Sequence, residues 1–295
     1  MPLKSILLGI FLALFGQIKA QVSSYPFEES SLLWKIDGPG VKKGCYLFGT
    51  MHLIEKDYFV FPKSLQQLLK KTSVLVMELD GSPQFATVKT ALQLKSGSFF
   101  DFFTKDQSDS IVKWAATNLH MDSSNFCSFI QPMKPFVMAQ LMAQLQFKNS
   151  VESYEKNFES LAKKEKVPIF GLETADEQIQ FIDALPAVSQ VEMVMEPIRQ
   201  GENSHAKLVA LEKTYQSQNI DALYQLMQKE AGVAAHEQAL LVDNRNAKWI
   251  PEIEKFIQKD RTFIAVGAGH LGGEKGIIRL LQAKGYRVTP IELTN

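Results

Sequence analysis

Cysteine is scarce in this chain: 295 residues contain two, Cys45 and Cys127. Two cysteines make neither a disulfide framework nor a CxxC metal or redox pair. Cys45 sits in a strand-like run, so a buried free thiol is the expectation. An excess of one charge is also missing, because 32 Lys and Arg balance 32 Asp and Glu. Without basic runs there is no electrostatic footprint for nucleic acid. Beyond residue 20 no apolar run is long enough to cross a bilayer. Walker A, HExxH and Gly-x-Ser-x-Gly patterns are absent as well. Their absence removes the usual phosphate loop, the zinc helix and the serine-hydrolase elbow.

What is present begins with residues 1–20. A basic start, the apolar run Ile6–Phe15 and the small Ala20 before Gln21 read as a signal peptide. The expectation is export, to a periplasmic or extracellular location, of a mature chain 21–295. Losing Lys4 and Lys19 takes its formal charge from 0 to −2. About 275 residues can bury the core of a single domain.

The stretch that organises the rest is Arg261–Glu292. Thr262–Val266 has the composition of a buried strand. Gly267-Ala-Gly269-His270 follows, at a strand end where tight turns need glycine and α/β proteins place ligands. Ile277, Ile278, Leu280 and Leu281 form a helical stripe within 274–284, Gly285 stops it, and Arg287–Ile291 is a strand ending at Glu292. The same unit occurs earlier. Cys45–Phe48 ends in Gly49-Thr-Met-His52, a helix covers 64–71, and the strand Val74–Met77 ends at Glu78. His and Glu are 26 residues apart in the first copy and 22 in the second. Two such units suggest a pseudo-symmetric pair in one sheet, with His52 and His270 converging at one edge. Two imidazoles and nearby carboxylates are first ligands of a metal site.

Between the copies, about 84–250 reads as a helical insertion. Helical periodicity covers 84–94, 109–119, 136–147, 154–163 and 175–185, and most of 188–258. The Phe99–Phe103 cluster and Met133, Met138 and Met142 read as packing residues. Residues 168–172 break the pattern as a short strand ending at Glu173, with Thr174 and Glu177 as a capping box. Glu173 is then either a third carboxylate ligand or a group favoured by the helix N-terminus. In the polar run 243–246, Asn244 and Arg245 either orient a substrate or form a solvated face. His120, His205 and His236 lack the turn context of His52 and His270. Gly267-Ala-Gly269-His-Leu-Gly272 matches GxGxxG, but the chain ends too soon for the strands a dinucleotide fold needs, and the first copy shares only the histidine turn.

Tyr46–His52, Val76–Glu78, Gly171–Thr174, Asn244–Asn246 and Val266–His270 together resemble the TraB/GumN family, in family order over about 31–291. That family is similar to the Tiki metalloproteases and, more distantly, to the erythromycin-esterase/ChaN-like group. The resemblance implies a metal-dependent peptidase site using His52, His270 and Glu78, with Glu173 and Arg245 as further candidates. It also implies a central sheet from a duplicated β–α–β unit with a helical insertion. Family likeness does not by itself establish proteolysis.

The expected fold is therefore α/β: a mixed or parallel sheet from strands near 45–48, 74–77, 168–172, 262–266 and 287–291. The expected cofactor is a divalent ion (zinc, manganese, cobalt or iron) held by His52, His270, Glu78 and Glu173. The expected activity is hydrolysis of a peptide or small-molecule amide or ester. Glu78 acts as base if it does not bind metal, and Asn244 and Arg245 hold the substrate. The competing expectation is a tetrapyrrole- or metal-binding protein without turnover.

Overall fold

The computed structural model describes Phe27 and residues 29–80, 92–201, 203–231 and 235–294. The signal-peptide segment and nearly all of the helix expected at 84–94 lie outside these residues.

Among the described residues there are eight strands: β1 (Leu33–Asp37), β2 (Cys45–Thr50), β3 (Ile54–Glu55), β4 (Val74–Met77), β5 (Val151–Glu152), β6 (Ile169–Gly171), β7 (Thr262–Gly267) and β8 (Arg287–Ile291). Six form one mixed sheet in the order β6-β4-β7-β2-β1-β8, and β3 pairs with β5 separately. β6, β4, β7 and β2 run parallel to one another, whereas β1 is antiparallel to both β2 and β8. All residues of β4 and β7 are buried, as expected of parallel strands covered on both faces.

The two terminal units thus share one sheet, but they interleave. β7 inserts between β2 and β4, so the histidine-bearing strands β2 and β7 are parallel neighbours, with Thr50 opposite Gly267. The second halves do not match. β4 lies beside β7, while β8 is carried to the far edge because β1 takes the place next to β2. The sequence reading missed β1, whose Trp34 and Ile36 are almost wholly buried. The last helix is Ile277–Ala283, shorter than the expected 274–284.

Glycine is required where the strand ends crowd. A Cβ on Gly49 would lie 3.0 Å from Leu271 Cδ2 and 3.1 Å from Ala268 Cα. The histidine turn after β7 therefore packs directly on the end of β2. A Cβ on Gly171 would lie 2.6 Å from the Asp80 amide nitrogen, so β6 can approach the turn after β4 only as glycine.

One apolar cluster surrounds the sheet, including Phe48, Leu75, Phe158, Trp249, Phe263, Ile264 and Ile277. A second, including Phe99, Ile111, Phe126, Met138, Ile179 and Val194, lies among the inserted helices. Met133, Met138 and Met142, with Phe99 and Phe103, belong to this second cluster. Cys45 and Cys127 are free thiols, Cys45 fully buried.

The central strand carries a large share of the stability. Ile264→Ala at a fully buried position of β7 should cost about 2–5 kcal/mol. Val188→Ala, at 67% exposure, should stay within about 0.5 kcal/mol. Urea unfolding that ranks these two variants the other way would contradict this packing.

Candidate functional site

The parallel strands deliver side chains to one end of the sheet. Glu78 follows β4 and Glu173 follows β6. Backbone bonds from Leu172 to Met77 and from Glu173 to Glu78 (2.9 and 3.0 Å) continue the ladder past the strands proper. Two carboxylates are thereby buried side by side, at 6% and 5% exposure. Such a pair needs a cation.

Arg245 supplies it. Its Nε and Nη2 donate to Glu173 Oε2 and Oε1 at 3.1 and 2.6 Å, and Nη2 also donates to Glu78 Oε2 at 2.7 Å. Nη1 donates to the Leu241 carbonyl at 3.0 Å and faces His270 Nε2 at 3.2 Å. Residues 239–243 form a π-turn immediately before the helix Asn244–Lys259. Single wide turns of this kind recur at functional positions in helices. Trp249, one turn after Arg245, lies under the guanidinium at 4.7 Å and donates Nε1–H to Glu173 Oε2 at 3.2 Å. Gln178 Nε2 and the Gly267 amide complete Glu78, at 3.3 and 2.8 Å.

Each imidazole is held from behind. His52 Nδ1 bonds Glu155 Oε1 at 2.9 Å, and that carboxylate also accepts from Thr50 Oγ1 (2.5 Å) and Ser153 Oγ (3.2 Å). His270 Nδ1 lies 2.6 Å from Asn246 Oδ1. The Asn246 amide is oriented by donating Nδ2 to the carbonyls of His270 and Lys275, at 3.2 and 2.8 Å. His270 therefore donates at Nδ1 and presents Nε2 as an acceptor. Its ring also lies against Trp249, with centroids 4.5 Å apart.

These surroundings set the protonation states. Burial opposes charge on His52, but the Glu155 carboxylate outweighs it and raises the pKa to about 9. Burial and the Arg245 charge lower His270 to about 3. Burial would raise Glu78, yet Arg245, then His270 and His52, hold it down at about 2. Glu173 is pushed upward by burial against the pull of Arg245.

His52, His270, Glu78, Glu173 and Arg245 are all at this end of the sheet. Glu173, however, is given over to Arg245 and Trp249, so it anchors the guanidinium. Arg245 is buried with donors bonded inside the protein, so the solvated-face reading does not describe it. Asn244 is exposed, and it is Asn246, fully buried, that enters the site. Glu292 is exposed at the far edge of the sheet, so it has no part comparable to Glu78. His205 bonds the Gln146 carbonyl away from the site. The glycine turn after β7 is no phosphate cradle: Cβ atoms on Gly269 and Gly272 would lie 2.7 Å from Met227 and 2.8 Å from Tyr224.

Glu155 and Asn246, which hold the two rings, were not identified as site residues from sequence. Glu155 looks like any acidic first-turn residue, here after the N-cap Ser153. Asn246 stood in the quoted Asn-Arg-Asn motif, but the choice between its two asparagines needs the helix register.

A model of the TraB/PrgY/gumN family matches residues 32–290. The chain belongs to that family. No curated protein and no solved structure matches it. In this TraB/PrgY/gumN chain, no helix among the described residues is long and apolar enough to cross a membrane.

Whether a metal ion suits the site turns on Gly267. A Cβ there would lie 3.1 Å from Glu78 Oε1, 3.7 Å from His270 Cδ2 and 3.8 Å from His52 Nε2. The absent side chain leaves a space bordered by one carboxylate and both imidazoles. Among the described residues no group of three or more His, Cys, Asp or Glu is placed to hold a metal ion. His270 Nε2 is turned to Arg245, and Glu78 Oε1 to the Gly267 amide. What favours an ion is the donor chemistry alone: both imidazoles are fixed at Nδ1 by a second partner, as metal-binding histidines usually are.

Two outcomes test these electrostatics. Arg245→Met leaves two buried carboxylates without their cation and should destabilise the protein by about 3–5 kcal/mol. Adding Glu173→Gln should recover part of that loss in urea unfolding. The pH response of the chelator-treated protein should have two limbs. His270 and Glu78 have lowered pKa values, so their contribution is complete above 6.5 and 4.5 and is lost as pH falls toward about 3 and 2. His52 is raised, so its contribution is complete below 6.5 and is lost as pH rises through about 9. Stability should peak near pH 6.5, and His52→Ala should flatten the alkaline limb.

Proposed function

We propose that this protein is a metal-dependent hydrolase acting on amide bonds, most simply those of peptides, with His52, His270 and Glu78 as the ion's protein donors. The observation that carries the reading is the space at Gly267, bordered by those three groups and backed by Glu155 and Asn246. A divalent ion bound there supplies Lewis acidity, polarising a carbonyl and lowering the pKa of water.

The chain's own residues prepare for that role. Glu155 holds the Nδ1 proton of His52, so loss of the second ring proton leaves Nε2 as the donor atom. Asn246 does the same for His270. Arg245 and the Gly267 amide keep Glu78 ionised, and a carboxylate with a pKa near 2 is a weak base. The reading therefore favours Glu78 as a donor over Glu78 as general base. Glu173 and Trp249 hold Arg245, which lies behind the donors and sets their charge.

Zinc, manganese, cobalt and iron(II) all suit imidazole–carboxylate donors. The rival tetrapyrrole reading has less support, because His270 is 1% exposed and its ring lies against Trp249. A macrocycle needs an open slot over its axial ligand. The exported location belongs to the same proposal and rests on residues 1–20.

Metal analysis of residues 21–295 expressed as a mature chain tests the site. His52→Ala and His270→Ala should each lower bound metal at least about tenfold, since altering a metal's surroundings costs about 10–100-fold in affinity or activity. Glu78→Gln should lose metal along with activity, whereas a base role would lose activity alone. A peptide-library digest should show cleavage abolished by chelator. Chelator-insensitive cleavage, or wild-type metal content in both alanine variants, would overturn the proposal.

A further inference from the structure

Beside His52 a cavity of about 40 Å³ opens partly to solvent between the ends of β2 and β7 and two helices, Asn203–Gln216 and Ile220–Ala231. Met51, Leu211, Leu223 and Met227 line it, together with Gly267 and Gly269. The polar groups in the wall are already bonded elsewhere. Tyr215 donates its hydroxyl to the Gly49 carbonyl at 2.7 Å, and Thr50 donates to Glu155 at 2.5 Å. His52 and Tyr215 are the ionisable side chains among the lining residues, and burial holds the Tyr215 phenol neutral. A basic or amide side chain entering here would lose water and gain little in return. An aliphatic one would exchange water for methyl and thioether contact.

Adaptability points the same way. The volume exceeds the roughly 10–15 Å³ that one water needs, and a larger group enters only if a wall side chain moves. Met227 arches over the histidine turn, since a Cβ on Gly269 would lie 2.7 Å from its Cε. An unbranched thioether at that position can move to fit aliphatic groups of different shape.

We propose that this pocket is the specificity subsite of the protein, receiving an uncharged aliphatic side chain of the substrate residue next to the reacting carbonyl. The assignment rests on the hydrolase reading for the phrase "reacting carbonyl". The pocket's preference for an aliphatic group stands apart from any turnover.

Two measurements separate the two claims. The first uses binding alone: the protein carries ¹³C-methyl methionine and is titrated with N-acetyl-leucinamide and N-acetyl-glutaminamide, with and without zinc. The Met51 and Met227 methyl resonances should shift saturably with the leucine compound and not with the glutamine compound. Leu211→Lys should abolish the leucine response, with thermal unfolding confirming the fold. Equal shifts for both compounds, or none at either methionine, would overturn the subsite whatever the enzyme does. The second is the peptide-library digest with metal-loaded protein. Cleavage should favour an aliphatic residue at one position beside the scissile bond by at least about tenfold, within the range that an apolar pocket supplies. Leu211→Lys should erase that preference while leaving bound metal unchanged. Cleavage with no aliphatic preference, or a preference unchanged in Leu211→Lys, would overturn the proposal. Aliphatic-selective shifts without any cleavage would keep the pocket and remove the hydrolase reading.

Discussion

Burying two carboxylates at the ends of neighbouring parallel strands is tolerable only with a cation between them, and Arg245 is that cation. Its planar fork reaches both oxygens of Glu173 and one of Glu78, which a lysine's point charge would not do in the same geometry. The rest of the site follows from this contact. The guanidinium keeps Glu78 ionised and His270 neutral, and it fixes the start of the helix Asn244–Lys259 against the sheet end. Trp249, one turn further, packs its ring against the guanidinium and lies against His270. Arg245 thus joins β4, β6, the helix and the histidine turn after β7 in one bonded group.

The two imidazoles occupy similar turns in opposite electrostatic settings. His52 faces a carboxylate through Nδ1 and keeps its proton, whereas His270 faces a neutral amide and a guanidinium and gives its proton up. The asymmetry arises from what each helix brings to the sheet end. The helix after β5 presents Glu155, and the helix after the π-turn presents Arg245 and Asn246. Repetition in sequence therefore sets where the rings stand, while the unrepeated insertion sets their charge. The insertion also builds the wall of the aliphatic pocket beside His52. One end of the sheet accordingly carries a polar side around Arg245 and an apolar side around Met227.

Much of the fold was legible because it is local. Thr262–Val266 and Val74–Met77 are short, largely apolar runs bounded by turns, and such runs become buried parallel strands. β1 was missed because Leu33–Asp37 lacks both a flanking repeat and a strict alternation, and its pairing with β2 and β8 is a long-range event. The glycines of the two histidine turns were legible as turn residues. Their further reason, the contact of Gly49 with Leu271 and Ala268 and the space at Gly267, exists only between strands far apart in sequence.

By itself the sequence determined the alternation of strand and helix, the two Gly-x-x-His turns and the family, because each is written in consecutive residues. Tertiary structure decided the strand order that puts β7 between β2 and β4, and with it which glutamate faces which cation. Glu292 follows its strand just as Glu78 follows β4, yet pairing of β1 with β2 carries β8 to the far edge and leaves Glu292 in solvent. Glu173 and Arg245 were both marked as site residues, but their roles depend on hydrogen bonds spanning 72 residues. Hydrophobic periodicity constrains which face of an element is buried. It carries no information about which buried polar groups meet, because that is settled by the packing of elements distant in the chain.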